Sequence, residues 1–314
     1  MYQIGIDIGG TSIKIALVDE SLQIIRKTAI PFRCIGGEGV AAMIAQAVGD
    51  LIAPDVSMQQ ISSVGVVVPG SIDRTQSIVL DAHNLDFHNV PFKQHLQSQF
   101  PETPVYLAND ADGAALAELG RGAFVGCKTA VLLTLGTGVG GGVILGGKMF
   151  SGGEGRGIEL GHMCLVNGGK KCTCGNRGCI EAHCSATALK LSGIQAMHEH
   201  PDSLLAARSG GNEDLIDAKF IIDLAKEGDA AAKAAFDAYV DDLAAACISV
   251  IHILDPEVIA IGGGVSHAGD FLFEPLRKGI DEKCFFSEHG KIVPAKMGNE
   301  AGMIGAAMLA QNTN

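Results

Sequence analysis

One short loop near the middle of the chain restricts its folding more than any other stretch. Between Glu159 and Glu181, Cys172, Cys174 and Cys179 follow in the order C-x-C-x-x-x-x-C, with His162 ten positions ahead of the first. Three thiolates and an imidazole complete a tetrahedral shell for zinc and leave no position for a water nucleophile, so the metal expected here is structural. Gly168, Gly169, Gly175 and Gly178 let so short a loop bend enough to aim its sulfurs at one point. Two other readings are three unrelated buried thiols and a disulfide. Both fit poorly, because these cysteines crowd between lysines and glycines and a reducing interior disfavours disulfides. A closed metal does no chemistry itself. What it can do is fix Glu159 and Glu181, the carboxylates at the two ends of the loop.

At 314 residues the chain exceeds what one compact core usually takes, which predicts two domains. A net charge of -12, with no Lys/Arg run longer than Lys170-Lys171, argues against nucleic acid as a partner. The longest weakly polar run, residues 130–145, is too short and too rich in glycine to cross a bilayer. With no charged-then-apolar leader, the expected compartment is the cytoplasm.

The opening, residues 3–19, alternates apolar and polar positions, turns at Gly9-Gly10-Thr11 and alternates again, which predicts a hairpin. Its turn offers amides and a hydroxyl to an anion, with Asp7 on the first strand and Lys14 on the second. A plain turn is the competing reading, and neither a Walker loop nor a following helix is present. Residues 38–52 have helical spacing, and an apolar strand from residue 61 ends in Pro69-Gly70. Asn84 lies in a short polar connection, either as a ligand or as an Asx-turn residue.

Residues 104–120 read as a strand leading into a helix, with Asn109, Asp110 and Asp112 at the junction. Helix capping explains one or two of these polar groups but not all. The opening pattern then recurs in 129–148, where Gly136-Thr137-Gly138 separates two strands. A dinucleotide fingerprint is rejected because such a turn must lead into a helix. Downstream, Ser185 caps a predicted helix and 200–216 reads as a surface excursion. Helices follow over 217–229 and 230–254, and a strand from 257 ends in Gly262-Gly263-Gly264, a platform for a flat ring or a phosphate tail. The apolar helix 301–311 could fold back onto the first domain.

Taken together, D-I-G-G-T-x-x-K (Asp7 to Lys14), Asn109-Asp110, L-G-T-G-V-G-G-G (Leu135 to Gly142), E-x-G-H (Glu159 to His162), C-x-C-G-N-x-G-C-x-E (Cys172 to Glu181) and the triple glycine resemble one family over nearly the whole chain. It is the ROK group of bacterial sugar kinases and sugar-responsive repressors, and the resemblance is strongest to the glucokinase branch. It implies an α/β fold of actin/hexokinase-like (ribonuclease H-like) type, with two domains and an interdomain cleft. The expected division is 1–115 plus 301–314 for the small domain and 116–300 for the large one. It also implies ATP phosphates at the two Gly/Thr turns, adenosine over Gly262, Gly263 and Gly264, and sugar hydroxyls on Asn84, Asn109, Asp110, Glu159, His162 and Glu181. His162 would then serve both zinc and sugar. His83 departs from the pattern, since relatives commonly carry proline before the asparagine.

The implied reaction is transfer of the γ-phosphate of Mg-ATP to the 6-hydroxyl of a hexose, glucose being favoured. Asp110 would accept the hydroxyl proton, and Asp7 would hold Mg²⁺ through water. N-acetylmannosamine, N-acetylglucosamine, allose and fructose are the alternative substrates. A sugar-sensing regulator is the rival from another class, disfavoured because the first strand begins at Gln3 and leaves no room for a DNA-reading head. The family likeness suggests a homodimer or a dimer of dimers.

Overall fold

The structure is a computed structural model that describes residues 1–154 and 157–312. Residues 155–156 and 313–314 of the expected domain segments lie outside that range. The described residues form two compact units.

The first unit comprises residues 1–128, 142–158 and 296–314. Its first strands are β1 (Tyr2–Ile8), β2 (Ser12–Asp19) and β3 (Ile24–Pro31), followed by helix α1 (Gly36–Ile52) and strand β4 (Ile61–Val68). A small antiparallel sheet comes next, made of β5 (Ser71–Ile72), β6 (Val79–Ala82) and β7 (Phe87–Val90). Then follow helix α2 (Phe92–Gln99), strand β8 (Val105–Asn109) and helix α3 (Asp110–Arg121). The main sheet has the order β3-β2-β1-β4-β8, antiparallel through β3, β2 and β1 and parallel through β1, β4 and β8.

The second unit comprises residues 129–141 and 159–295. Strand β9 (Ala130–Leu135) and the start of β10 (Val139–Leu145) belong to it, while the rest of β10 and β11 (Lys148–Met149) fall in the first unit, and helices α4 (Ile180–Cys184) and α5 (Ala186–Glu199) follow the cysteine loop. After them come α6 (Leu204–Ser209), α7 (Ala218–Lys226) and α8 (Ala230–Leu254). Strand β12 (Val258–Gly262), helix α9 (Asp270–Lys283) and strand β13 (Lys291–Pro294) complete this unit, and α10 (Ala301–Asn312) returns to the first. The second sheet has the order β11-β10-β9-β12-β13, with β12 parallel to both β9 and β13.

Period-two alternation sorts the first sheet into two unlike faces. Ile4, Ile6, Ile8, Ile13, Ile15 and Leu17 share a buried cluster with Val40 and Ile44 of α1 and Leu96 of α2. On the other face Ala16, Val18 and Val67 pack with Leu116 of α3 and with Met303, Ile304 and Ala307 of α10. Small residues set how closely that last helix approaches. A Cβ on Gly5 would stand 1.8 Å from the Met303 carbonyl oxygen, one on Gly65 would stand 1.8 Å from that of Ala306, and one on Gly305 would meet the Gly113 oxygen at 1.7 Å. Gly65→Ala is therefore expected to lower the unfolding free energy by about 3 kcal/mol or more, since backbone cannot give way as a side chain can. Gly49→Ala, in α1 with nothing within 4 Å of the added carbon, should instead stabilise by about 0.8 kcal/mol through helix propensity. Urea unfolding of the two variants checks both signs.

In the second unit α8 is the central helix, burying Phe236, Tyr239, Leu243, Cys247 and Ile251. Two polar ties fasten α4 to it. The Tyr239 hydroxyl donates to the Cys184 carbonyl at 2.6 Å, and His183 Nδ1 lies 3.0 Å from Asp242 Oδ2. The segment 200–216, expected as a surface excursion, is instead partly helical: α6 and the 3₁₀ turn Glu213–Leu215 lie within it, and Leu205 and Ile216 are fully buried. Its polar residues are caps. Ser203 Oγ accepts from the Ala206 amide at 3.1 Å, and Asn212 Oδ1 accepts from Asp214 at 3.0 Å.

Candidate functional site

In the first unit the expected groups gather at the ends of β1, β4 and β8. Asp7 and Lys14 face each other across the β1–β2 pair, and their ion pair spans 3.4 Å. Gly9 donates its amide to the Ser12 carbonyl at 2.9 Å, closing the turn, while Gly10 and Thr11 stay exposed. A Cβ on Gly10 would come within 3.2 Å of Asn84 Cβ, so the turn and Asn84 are neighbours. Asn84 is exposed in the 3₁₀ turn His83–Leu85 that links β6 to β7. Behind Asp7 runs the start of α10, where a Cβ on Gly302 would meet the carboxyl carbon of Asp7 at 2.5 Å. A larger residue there would push the Asp7 side chain aside.

Asn109 is the N-cap of α3. Its Oδ1 accepts from the Ala111 amide at 2.8 Å, and its Nδ2 donates to the Gly70 carbonyl at 2.8 Å. The side chain therefore both starts the helix and holds the Pro69-Gly70 turn at the end of β4. Asp110, the first residue of α3, is exposed and accepts from the Ala111 amide through Oδ1 at 2.9 Å.

In the second unit His162, Cys172, Cys174 and Cys179 offer four ligand atoms that all lie within 4.8 Å of one another. Cys174 Sγ and Cys179 Sγ are 3.7 Å apart, and Cys172 Sγ is 3.7 Å from His162 Nδ1. Those separations rule out a disulfide, whose sulfurs lie about 2.05 Å apart. They match the edges of a zinc tetrahedron, about 3.8 Å between sulfurs for Zn–S bonds of about 2.3 Å. The donor set fits zinc. Turn hydrogen bonds shape the loop, Cys172 amide to Asn176 carbonyl at 2.9 Å and Gly178 amide to Lys170 carbonyl at 2.7 Å. Gly178 lies at φ 79°, and a Cβ there would fall 1.6 Å from the Val166 oxygen. Burial and the neighbouring thiols push Cys179 up to about 12, whereas the Asn176 amide draws Cys174 below its usual value. Ligation must release protons from such thiols, and acid opposes it.

Glu181 connects this loop to the second glycine turn. Its Oε1 accepts from Thr173 Oγ1 at 2.9 Å and lies 3.7 Å from Cys172 Sγ, while Oε2 accepts from the Val139 amide at 3.2 Å. A Cβ on Gly138 would sit 2.3 Å from that same oxygen. The Gly136-Thr137-Gly138 turn is tied again on its other side, where the Gly136 carbonyl accepts from the Ala186 amide at 2.8 Å and the Thr137 carbonyl from Thr187 Oγ1 at 2.7 Å. Thr173 and Thr187 were missed as supporting residues by sequence reasoning. The position of Thr173 between two ligand cysteines was the one available signal. Glu159 is exposed at the start of the 3₁₀ turn Leu160–His162. At the end of β12, Gly263 takes φ 83°, and its missing Cβ would fall 2.4 Å from the Leu135 oxygen. Gly263 and Gly264 are exposed, leaving a surface without side chains.

Residues 3–313 match the ROK family. A glucokinase of Thermotoga maritima is 38% identical over 310 residues, covering 98% of this chain and 96% of that protein. A glucokinase of Halalkalibacterium halodurans is 33% identical, covering 99% and 95%. Among solved structures, a ROK family glucokinase from Streptomyces griseus in complex with glucose and AMPPNP is 32% identical. It aligns over 100% of both chains with a TM-score of 0.81.

Proposed function

The chain belongs to the ROK family, and from that premise we propose that it is an ATP-dependent hexose kinase that phosphorylates the 6-hydroxyl of glucose. The observation carrying this reading is the Glu181 carboxylate, held with one oxygen on the cysteine loop and the other on the amide that follows the Gly136–Gly138 turn. A metal knuckle so placed orients a sugar-binding carboxylate beside a turn suited to phosphate, and the full-length similarity to glucokinases supports glucose as the sugar.

In this reading Asp110 accepts the proton of the attacking hydroxyl and orients it, the main task of such a residue in phosphoryl transfer. Asn84, Asn109, Glu159, His162 and Glu181 hold the other hydroxyls. Amides of the Gly9-Gly10-Thr11 and Gly136-Thr137-Gly138 turns stabilise charge on the phosphates, with Lys14 beside the first of them. Asp7 reaches the Mg²⁺ of the nucleotide through water, in keeping with the few direct protein ligands that ion accepts. The adenosine rests on Gly263 and Gly264, which are exposed, while Gly262 is buried at the end of β12 beneath them. Zinc on His162, Cys172, Cys174 and Cys179 supplies rigidity and no chemistry.

An ADP-release assay across glucose, mannose, allose, fructose, N-acetylglucosamine and N-acetylmannosamine tests the assignment. The expected result is the highest kcat/KM on glucose. A preference of tenfold or more for an N-acetylated sugar would reassign the substrate and keep the chemistry. No ADP release with any sugar would overturn the kinase reading and favour a sugar-binding regulator.

A further inference from the structure

We propose that Asp81, His83 and His88 form a second metal site, separate from the cysteine loop, that takes a borderline divalent cation such as Zn²⁺, Ni²⁺ or Co²⁺. The three side chains offer ligand atoms that all lie within 4.8 Å of one another. The small sheet dictates this grouping. Asp81 on β6 and His88 on β7 are directly paired in the antiparallel register, so their side chains leave the sheet on the same face. His83 follows two positions after Asp81, at the start of the 3₁₀ turn, and its Nε2 lies 3.2 Å from Asp81 Oδ2. His88 Nδ1 lies 2.9 Å from Asp81 Oδ1, and the two imidazole rings are 5.9 Å apart, edge to face.

Asp81 Oδ1 is shielded from water and faces the His88 ring nitrogen at 2.9 Å. With that nitrogen in its unprotonated tautomer, both atoms are acceptors, and a cation between them satisfies the pair. Asp86 Oδ1 lies 3.6 Å from His88 Nε2 and adds negative charge beside the cluster, which favours a bound cation. Two imidazoles and one carboxylate favour Zn²⁺, Ni²⁺ or Co²⁺ over Mg²⁺ or Ca²⁺, which want oxygen ligands. His83 and His88 are both more than half exposed, so an ion from solvent can reach them.

The test is calorimetric titration of the purified protein with Zn²⁺, after elemental analysis has established what the cysteine loop already holds. The expected result is one further saturable equivalent, lost in His83→Asn and in His83→Asn/His88→Asn and kept in Cys174→Ser. Because the side chains are exposed, an unchanged thermal midpoint will show that these variants fold. Equal Zn²⁺ binding by wild type and double variant, or no further binding by wild type, overturns the site. Mg²⁺ binding that depends on the same histidines overturns its assigned class.

Discussion

Asp110→Asn should leave the protein folded and the sugar bound while turnover falls by about 10²- to 10⁴-fold, the usual contribution of a positioned general base. The substitution is close to isosteric, and the Ala111 amide that meets Asp110 Oδ1 at 2.9 Å is shared with Asn109. Asn109 caps the helix, its Oδ1 taking the Ala111 amide at 2.8 Å. What the variant loses is a charge able to accept a proton at the exposed first turn of α3. The loss belongs in kcat, because an amide can still hydrogen-bond a hydroxyl. Sugar affinity should be read by calorimetry, since the chain has no tryptophan to report binding by fluorescence. A kcat within a factor of a few of wild type would sink the assignment.

Cys172→Ser should release the loop's metal and raise the KM for sugar by tenfold or more. Cys172 lies between the cluster and the carboxylate beside it, 3.7 Å from His162 Nδ1 and 3.7 Å from Glu181 Oε1. Few apolar contacts would remain to hold residues 166–178, most of which are exposed. A loop with so little buried surface cannot offset its own ordering entropy without the metal. Once it loosens, Thr173 no longer fixes Glu181 Oε1, and the carboxylate keeps only its contact with the Val139 amide. Elemental analysis, thermal unfolding and steady-state kinetics on the same preparation separate the effects. A metal-free variant that phosphorylates glucose at the normal KM would show that the knuckle scaffolds nothing.

The legible parts of this chain were those where chemistry is local. The C-x-C-x-x-x-x-C spacing forecast a cluster that geometry bears out, and alternation around Gly9-Gly10 and Gly136-Thr137-Gly138 forecast two hairpins that are present. Ser185 caps α5 as its position suggested, accepting from Ala188 at 3.0 Å. Asp255, at φ 42°, ends α8 just before Pro256. The illegible parts depend on distant partners. Strand β3 buries alternate residues only partly and carries Arg26 and Lys27, so its apolar signal is faint. Helix α9 has Pro275 inside it, which argues against a helix on local grounds. The caps of α6 and its following turn are the same Ser and Asn that mark loops.

The late position of α10 governs when the first unit can become stable. A ribosome delivers three hundred residues before Ala301 emerges, and until then the glycine-lined side of β1 and β4 has nothing to lie against it. The nascent sheet must wait with Ala16, Val18 and Val67 open to water, a state that invites chaperones and proteases. Completion of this unit thus waits for α10, and a chain stalled short of Ala301 should be degraded rather than accumulate.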